Sequence, residues 1–306
     1  MTTTTTVSSS CFSVARTAFL CVMAALAMLA SQATSAATIG SFVYGIDEAG
    51  DLYEVNAADK TSTYITSLSP NTATNALGYD SSRNQLFFVD NDLNFQVWDR
   101  SSSSTTNLGN ALGIAANPAN ADYYDNAFWY FETNSTDLKK ANLTYSGSTP
   151  SVSSIDTFSI AGMAATGVNT NTFGDIAIDP TSGTLYASTS RGRFYSIDLA
   201  SPSTTFQQLA ASLGNDRSVG LQLSFSENGS VLYGHRYADG SWYTVDTSTG
   251  GLTDITGFVT TPTGGVGFRD LGGAAAVPEP STMLLAGMGI AGAVVHQVRR
   301  RKKLAA

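Results

Sequence analysis

One phrase recurs along the middle of this 306-residue chain. An apolar, aromatic-rich segment is followed, about ten residues later, by a second one that ends in Asp or Asn. Leu86-Phe87-Phe88-Val89 leads to Phe95-Gln96-Val97-Trp98-Asp99, and Leu185-Tyr186-Ala187 leads to Tyr195-Ser196-Ile197-Asp198. Leu232-Tyr233-Gly234 leads to Tyr243-Thr244-Val245-Asp246, and Phe42-Val43-Tyr44 to Tyr53-Glu54-Val55-Asn56. A degenerate copy joins Phe128-Trp129-Tyr130 to Leu138-Lys139-Lys140-Ala141-Asn142. Three copies are preceded by a further short apolar segment closed by a turn, at 76–80, 175–180 and 221–225. Most are followed by a Ser/Thr/Gly turn and another strand, with Ser182-Gly183, Asn228-Gly229 and Ala49-Gly50 supplying hairpin chemistry. Four short antiparallel strands per unit describe a propeller blade.

The count gives an all-β domain of about five four-stranded blades over 37–276. Complete blades are expected to start near Ala76, Ala111, Asp175 and Gly220, with a Gly/Thr/Asn-rich insertion at 161–173. The fifth is split. The segment 265–270 looks like an inner strand without followers, and 39–68 looks like three outer strands without a leader. Joining them removes an open sheet edge, with 266–268 expected to pair with 42–44. The competing all-β reading is a two-sheet sandwich. The blade phrase loosely resembles bacterial propellers with YVTN-like or quinoprotein-like repeats and lacks the G-H…W-D signature of WD40 blades.

Both ends read as targeting segments. Residues 1–36 form a signal peptide: a polar start bearing Arg16, an apolar helix at 17–30, and small residues that place cleavage after Ala36 or Ala37. The cysteines, Cys11 and Cys21, both lie in this leader, so the domain has no disulfide, thiolate or Cys-ligated metal. Ala18-Phe19-Leu20 ahead of Cys21 lacks the small residues of a lipoprotein site. At the other end, 277–306 begins with Val277-Pro278-Glu279-Pro280-Ser281-Thr282. A short apolar helix follows from Met283, and then the basic cluster Arg299, Arg300, Arg301, Lys302 and Lys303. Such a helix halts in the inner membrane with its cations on the cytoplasmic side, and the two prolines hold the segment before it extended. This order resembles the PEP-CTERM sorting signal, also labelled an ice-binding protein C-terminal domain. The resemblance implies export by a Gram-negative bacterium that makes exopolysaccharide, with recognition and cleavage by exosortase after transient membrane anchoring. The alternative is a permanent C-terminal anchor. Gly287-Met288-Gly289-Ile290-Ala291-Gly292 spells a dinucleotide-binding pattern, but no strand precedes it and it sits in the apolar tail.

Charge narrows the partners. The ends hold six of the 16 bases and one of the 24 acids, which leaves the domain 10 against 23, a charge of −13. Such a surface repels phosphate backbones and excludes a nucleic-acid partner.

Evidence for chemistry is thin. His235 is the sole histidine of the domain. Asp90-Asn91-Asp92-Leu93-Asn94 starts like a calcium loop, but Phe95 and Ser101 stand where Gly and the bidentate Glu belong, so it reads as a turn. Asn134, Asn142 and Asn228 head short glycosylation-like patterns expected by chance in this composition. No catalytic, metal or cofactor residue is assigned, and no cofactor is expected. Tyr123, Tyr124, Trp129, Tyr237 and Trp242 are candidate sugar-stacking aromatics near strand ends, set against the reading that aromatics fill the wedges between blades. The leading expectation is a non-catalytic surface or matrix protein that binds exopolysaccharide. A propeller hydrolase or lactonase with metal-binding carboxylates is the alternative, and a protein-interaction module is the third. Convergence of Asp47, Asp90, Asp175 and Asp216 would favour the enzyme.

Overall fold

The structure, a computed structural model, describes residues 42–56, 61–68, 76–116, 118, 120–132, 135–163, 173–189, 192–210, 220–226, 229–255 and 267–273. The expected signal segment and sorting tail lie outside them. All regular structure in the described residues is β.

Four blades are continuous in sequence. The first runs β4 (Leu77–Asp80), β5 (Gln85–Val89), β6 (Phe95–Asp99) and β7 (Ser104–Asn107). The next is β8 (Asn120–Tyr124), β9 (Ala127–Phe131), β10 (Asp137–Ser146) and β11 (Thr149–Ser159). Then come β12 (Phe173–Asp179), β13 (Thr184–Thr189), β14 (Phe194–Asp198) and β15 (Gln207–Ala210). The last is β16 (Gln222–Phe225), β17 (Leu232–Arg236), β18 (Ser241–Val245) and β19 (Leu252–Asp254). The fifth blade takes β1 (Phe42–Ile46), β2 (Asp51–Asn56) and β3 (Thr61–Ser67) from the start of the domain, and β20 (Asp270–Gly272) from its end. All ladders are antiparallel, and the leading strands β20, β4, β8, β12 and β16 touch in that order around a closed ring.

Burial follows from this layering. β5 is buried at every position because neighbouring blades cover both faces, whereas the outer strand β7, Ser-Thr-Thr-Asn, is exposed throughout. An apolar cluster fills each of the five gaps between blades. The cluster at the split blade joins Val43, Tyr53 and Leu271 to Tyr233 and Trp242, with Phe268 wedged between them. Turns obey local chemistry as well. Asp125 and Asn126, at φ 50 and 56, make the two-residue hairpin between β8 and β9, a conformation that these residue types tolerate best after glycine.

Three details of the strand assignment differ from the sequence reading. The closing ladder pairs Tyr44 with Gly272, Gly45 with Leu271 and Ile46 with Asp270, rather than 42–44 with 266–268. Phe268 is drawn into the wedge, 5.6 Å from the Tyr53 ring and 6.0 Å from that of Trp242, so pairing begins only beyond it. Second, Ala111-Leu112-Gly113-Ile114 mimics Ala76-Leu77-Gly78-Tyr79 but forms no strand. Gly113 turns the chain at φ 63, while Leu112 and Ile114 plug the adjacent gap, and the inner strand is β8. Third, the β10–β11 hairpin is longer than the short strands expected, with 10 and 11 residues, and most of the expected insertion, 164–172, lies outside the described residues.

Candidate functional site

The inner strands bring buried carboxyls to the axis of the ring. Asp122 on β8, Asp175 on β12 and Asp270 on β20 are 3 %, 0 % and 1 % exposed. Asp122 Oδ1 accepts the Tyr123 N–H (2.8 Å), and its Oδ2 accepts the Ile178 N–H on the neighbouring strand β12 (2.7 Å). Asp175 repeats the device: Oδ1 takes the Ile176 N–H (2.7 Å) and Oδ2 takes the Leu223 N–H on β16 (3.0 Å). Asp270 Oδ1 takes the Leu271 N–H (2.8 Å), and its carboxyl also bonds the Leu77 N–H on β4 and the Asp175 side chain. Each carboxyl thus satisfies backbone donors on an inner strand, and all three tie one blade to the next. The cost of burying them is offset by those N–H groups.

The side chains of Asp175 and Asp270 meet across the axis, although β12 and β20 are separated by β16 in the ring. Burial pushes the pKa of all three carboxyls well above the usual carboxylate range, and for Asp175 the neighbouring Asp270 adds to the effect. Asn120, two residues before Asp122 on β8, is fully buried, and neither atom of its amide makes a hydrogen bond. Among the described residues, no group of three or more His, Cys, Asp or Glu side chains could hold a metal ion.

Of the four carboxylates whose convergence was in question, three are described, and among those Asp175 alone lies on the axis. Asp47 and Asp90 cap hairpin turns. Asp47 Oδ1 accepts the N–H groups of Ala49 and Asp51, while Asp90 Oδ1 accepts those of Asp92 and Asn94. The second oxygen of Asp90 takes the amides of Asn94 and Gln96. Burial opposes ionisation of Asp90, but these bonds together hold its pKa below the ordinary value. The calcium-like stretch is therefore a satisfied turn. Asp216 lies outside the described residues. Asp122, Asp270 and Asn120 were missed in the sequence reading. The available signal was a polar side chain inside an otherwise apolar inner strand, as in Asn120-Ala121-Asp122-Tyr123-Tyr124.

His235 pins the split blade. Its Nε2 accepts the Phe268 N–H (2.9 Å), and its ring lies 4.6 Å from that of Trp242. Burial, the largest cause, depresses its pKa to about 4.

Of the five candidate aromatics, Tyr124 and Tyr237 are half-buried. Tyr123, Trp129 and Trp242 are buried as inter-blade packing. Tyr123 stacks on Phe87 at 5.3 Å and donates its hydroxyl to Asp80 Oδ2 (2.8 Å). Trp129 lies between Phe158 and Lys140, and Trp242 meets His235 and Phe268. Tyr124 sits at a turn within the field of Asp125, Asp179 and Asp198. Its hydroxyl rests where Gly183, at φ 68, carries no Cβ. Tyr237 donates to Glu48 Oε2 (2.9 Å) across the split-blade gap.

Beyond the described residues, 276–301 match the PEP-CTERM protein-sorting motif. The match takes in Val277 to Thr282 and the start of the basic cluster, and stops short of the propeller. It marks an exported, exosortase-processed protein of the cell surface or extracellular space. In this chain that signal follows a five-bladed propeller. The sequence matches no curated protein. Among the described residues no helix is long and apolar enough to cross a membrane.

Proposed function

We propose that the exported domain is a non-catalytic surface or matrix protein that holds exopolysaccharide through its rim. The observation that supports this best is the pair of half-buried tyrosines at blade turns, each beside carboxylates: Tyr124 near Asp125, Asp179 and Asp198, and Tyr237 bonded to Glu48. A flat ring gives a sugar its stacking face, and adjacent carboxylates accept from its hydroxyls. Signal peptidase would release 1–36 and exosortase would remove the tail after 277–282. An exopolysaccharide array probed with the surface-released protein tests the reading. Binding that falls about tenfold in Tyr124→Ala or Tyr237→Ala would support it. Absence of binding to any polysaccharide would leave the protein-interaction module in its place.

A second reading, a hydrolase or lactonase with channel carboxylates, draws on the meeting of Asp175 and Asp270. Their burial weighs against contact with a substrate.

A further inference from the structure

Each blade presents the free edge of its outer strand to the outside of the ring, and four of the five edges are poor templates for another chain. β7, β15 and β19 have only three or four residues, and β3 is interrupted by a bulge at Ile65. Shortness and bulges are the usual means by which an edge avoids pairing. β11 departs from this pattern. It is the outermost strand of its sheet, has 11 residues, and runs in regular register with β10 from Ser154 to Ser159, beyond a bulge at Ser153. It bears one charge, Asp156, and its sole proline, Pro150, stands near its start. Residues 153–157 are all exposed. At their centre Ile155, 37 % exposed, is one of two large apolar side chains exposed among the described residues.

We propose that β11 pairs with β11 of a second copy of this chain, antiparallel about a twofold axis at Ile155, so that two propellers join edge to edge. The sequence of the strand is self-complementary in that register. A twofold axis normal to the sheet keeps each face continuous across the junction, so residues of the same parity come opposite one another. An axis at Asp156 would set two carboxylates face to face, and one at Thr157 would set Asp156 against Phe158. An axis at Ile155 sets Ile155 against Ile155 of the second copy, Asp156 against Ser154 on both sides, and Ser153 against Thr157 at each end. The first pair covers the exposed apolar side chain. The second joins a donor to an acceptor. Ser154 Oγ already accepts the Asn142 amide (2.9 Å), which leaves its O–H to donate, and Asp156 Oδ2 accepts the same amide (2.8 Å), which leaves Oδ1 to accept. The pairing is independent of what the rim tyrosines hold, and it would cross-link copies displayed on one surface.

Sedimentation velocity of the surface-released protein tests the pairing. A short edge-to-edge contact is a small interface, so a dimer should appear with a dissociation constant on the order of 10–100 μM. Ile155→Lys should abolish it with the circular dichroism spectrum unchanged, since the side chain is exposed. Two symmetry-related contacts change together at position 154, so Ser154→Lys should tighten the dimer by about tenfold and Ser154→Asp should weaken it by a similar factor. The domain has no cysteine of its own, so the register can be read by oxidation: Ile155→Cys should form a disulfide-linked dimer, while Ser159→Cys, far from its own copy, should not. A wild type that stays monomeric up to about 500 μM overturns the proposal and leaves the edge to an extended segment of a different protein. A dimer that survives Ile155→Lys, or that cross-links as readily through Ser159→Cys as through Ile155→Cys, overturns it as well, because such a dimer is held by another surface.

Discussion

The blade built from β8 to β11 and the blade split between the ends of the domain solve the same problem with unequal means. The first is one stretch of chain with a five-residue inner strand and a hairpin of 10- and 11-residue strands outside. The second has a three-residue inner strand, joined to β1 by three paired positions and donated from more than 200 residues away. What the split blade lacks in ladder it gains in side chains and close approach: Phe268 fills the wedge, His235 accepts its N–H, and Asp270 lies buried at the axis. A Cβ on Gly45 would fall 2.5 Å from Phe268, and one on Gly273 would collide with Phe225 O. Ring closure is therefore a packing event more than a hydrogen-bonding one, and length of strand is a poor guide to importance.

The strongest challenge to that contrast is removal of 267–273. The deletion takes out Phe268 and Leu271 together with the closing ladder, each apolar loss alone being about 2–5 kcal/mol against a domain stability of about 5–15 kcal/mol. Cooperative melting by circular dichroism should disappear. The single change Phe268→Ala should cost about 3–5 kcal/mol in urea unfolding. Phe158→Ala on the long hairpin, where the ring is only partly buried against Trp129, should cost about half of that or less. Equal losses would erase the distinction between the two blades.

A middle-sized effect is carried by pH. Because the folded-state pKa of His235, about 4, lies below the ordinary 6.5, the unfolded chain takes up the proton first. The stabilising contribution of the neutral ring is present above pH 6.5, fades as pH falls toward 4 and is gone below, for a total on the order of 3 kcal/mol. The buried carboxyls act in the opposite sense, since their raised pKa values favour the fold in acid. The difference between wild type and His235→Gln, read from urea midpoints between pH 7 and 4, therefore isolates the imidazole. The difference should shrink as pH falls. A gap that stays constant would show that the ring does not titrate with unfolding. The smallest effect belongs to the outer hairpin. Ser154→Ala and Thr144→Ala remove exposed side-chain bonds and should shift stability by no more than about 0.5 kcal/mol.

Much of the ring could be read from the chain because second and third strands carry strong patterns. Residues such as Phe87, Phe88, Val97 and Trp98 are covered by neighbours, so the sequence must be apolar there. Inner strands were harder. They are short, and their polar members face an axis that exists only after five units assemble. Asn120 and Asp122 therefore look like loop residues, while Ala111-Leu112-Gly113-Ile114 looks like a strand. The register at the closing blade was out of reach for a related reason, since it is set by where Phe268 finds its wedge. Trp129 and Trp242 were ambiguous because stacking on a ligand and filling an inter-blade gap call for the same side chain. The sorting signal needed no tertiary structure at all, because its parts are contiguous in the sequence.

The meeting of the two ends of the domain in one blade has a mechanical consequence. β20 and β1 are antiparallel, with Gly272 opposite Tyr44, so the chain leaves the blade at the same edge by which it entered. A pull between those ends meets the three rungs one after another, as a zipper does, rather than all together in shear. Tension applied between the two ends of the domain would therefore reach this seam first, and the ring would open there before any of its four continuous blades came apart.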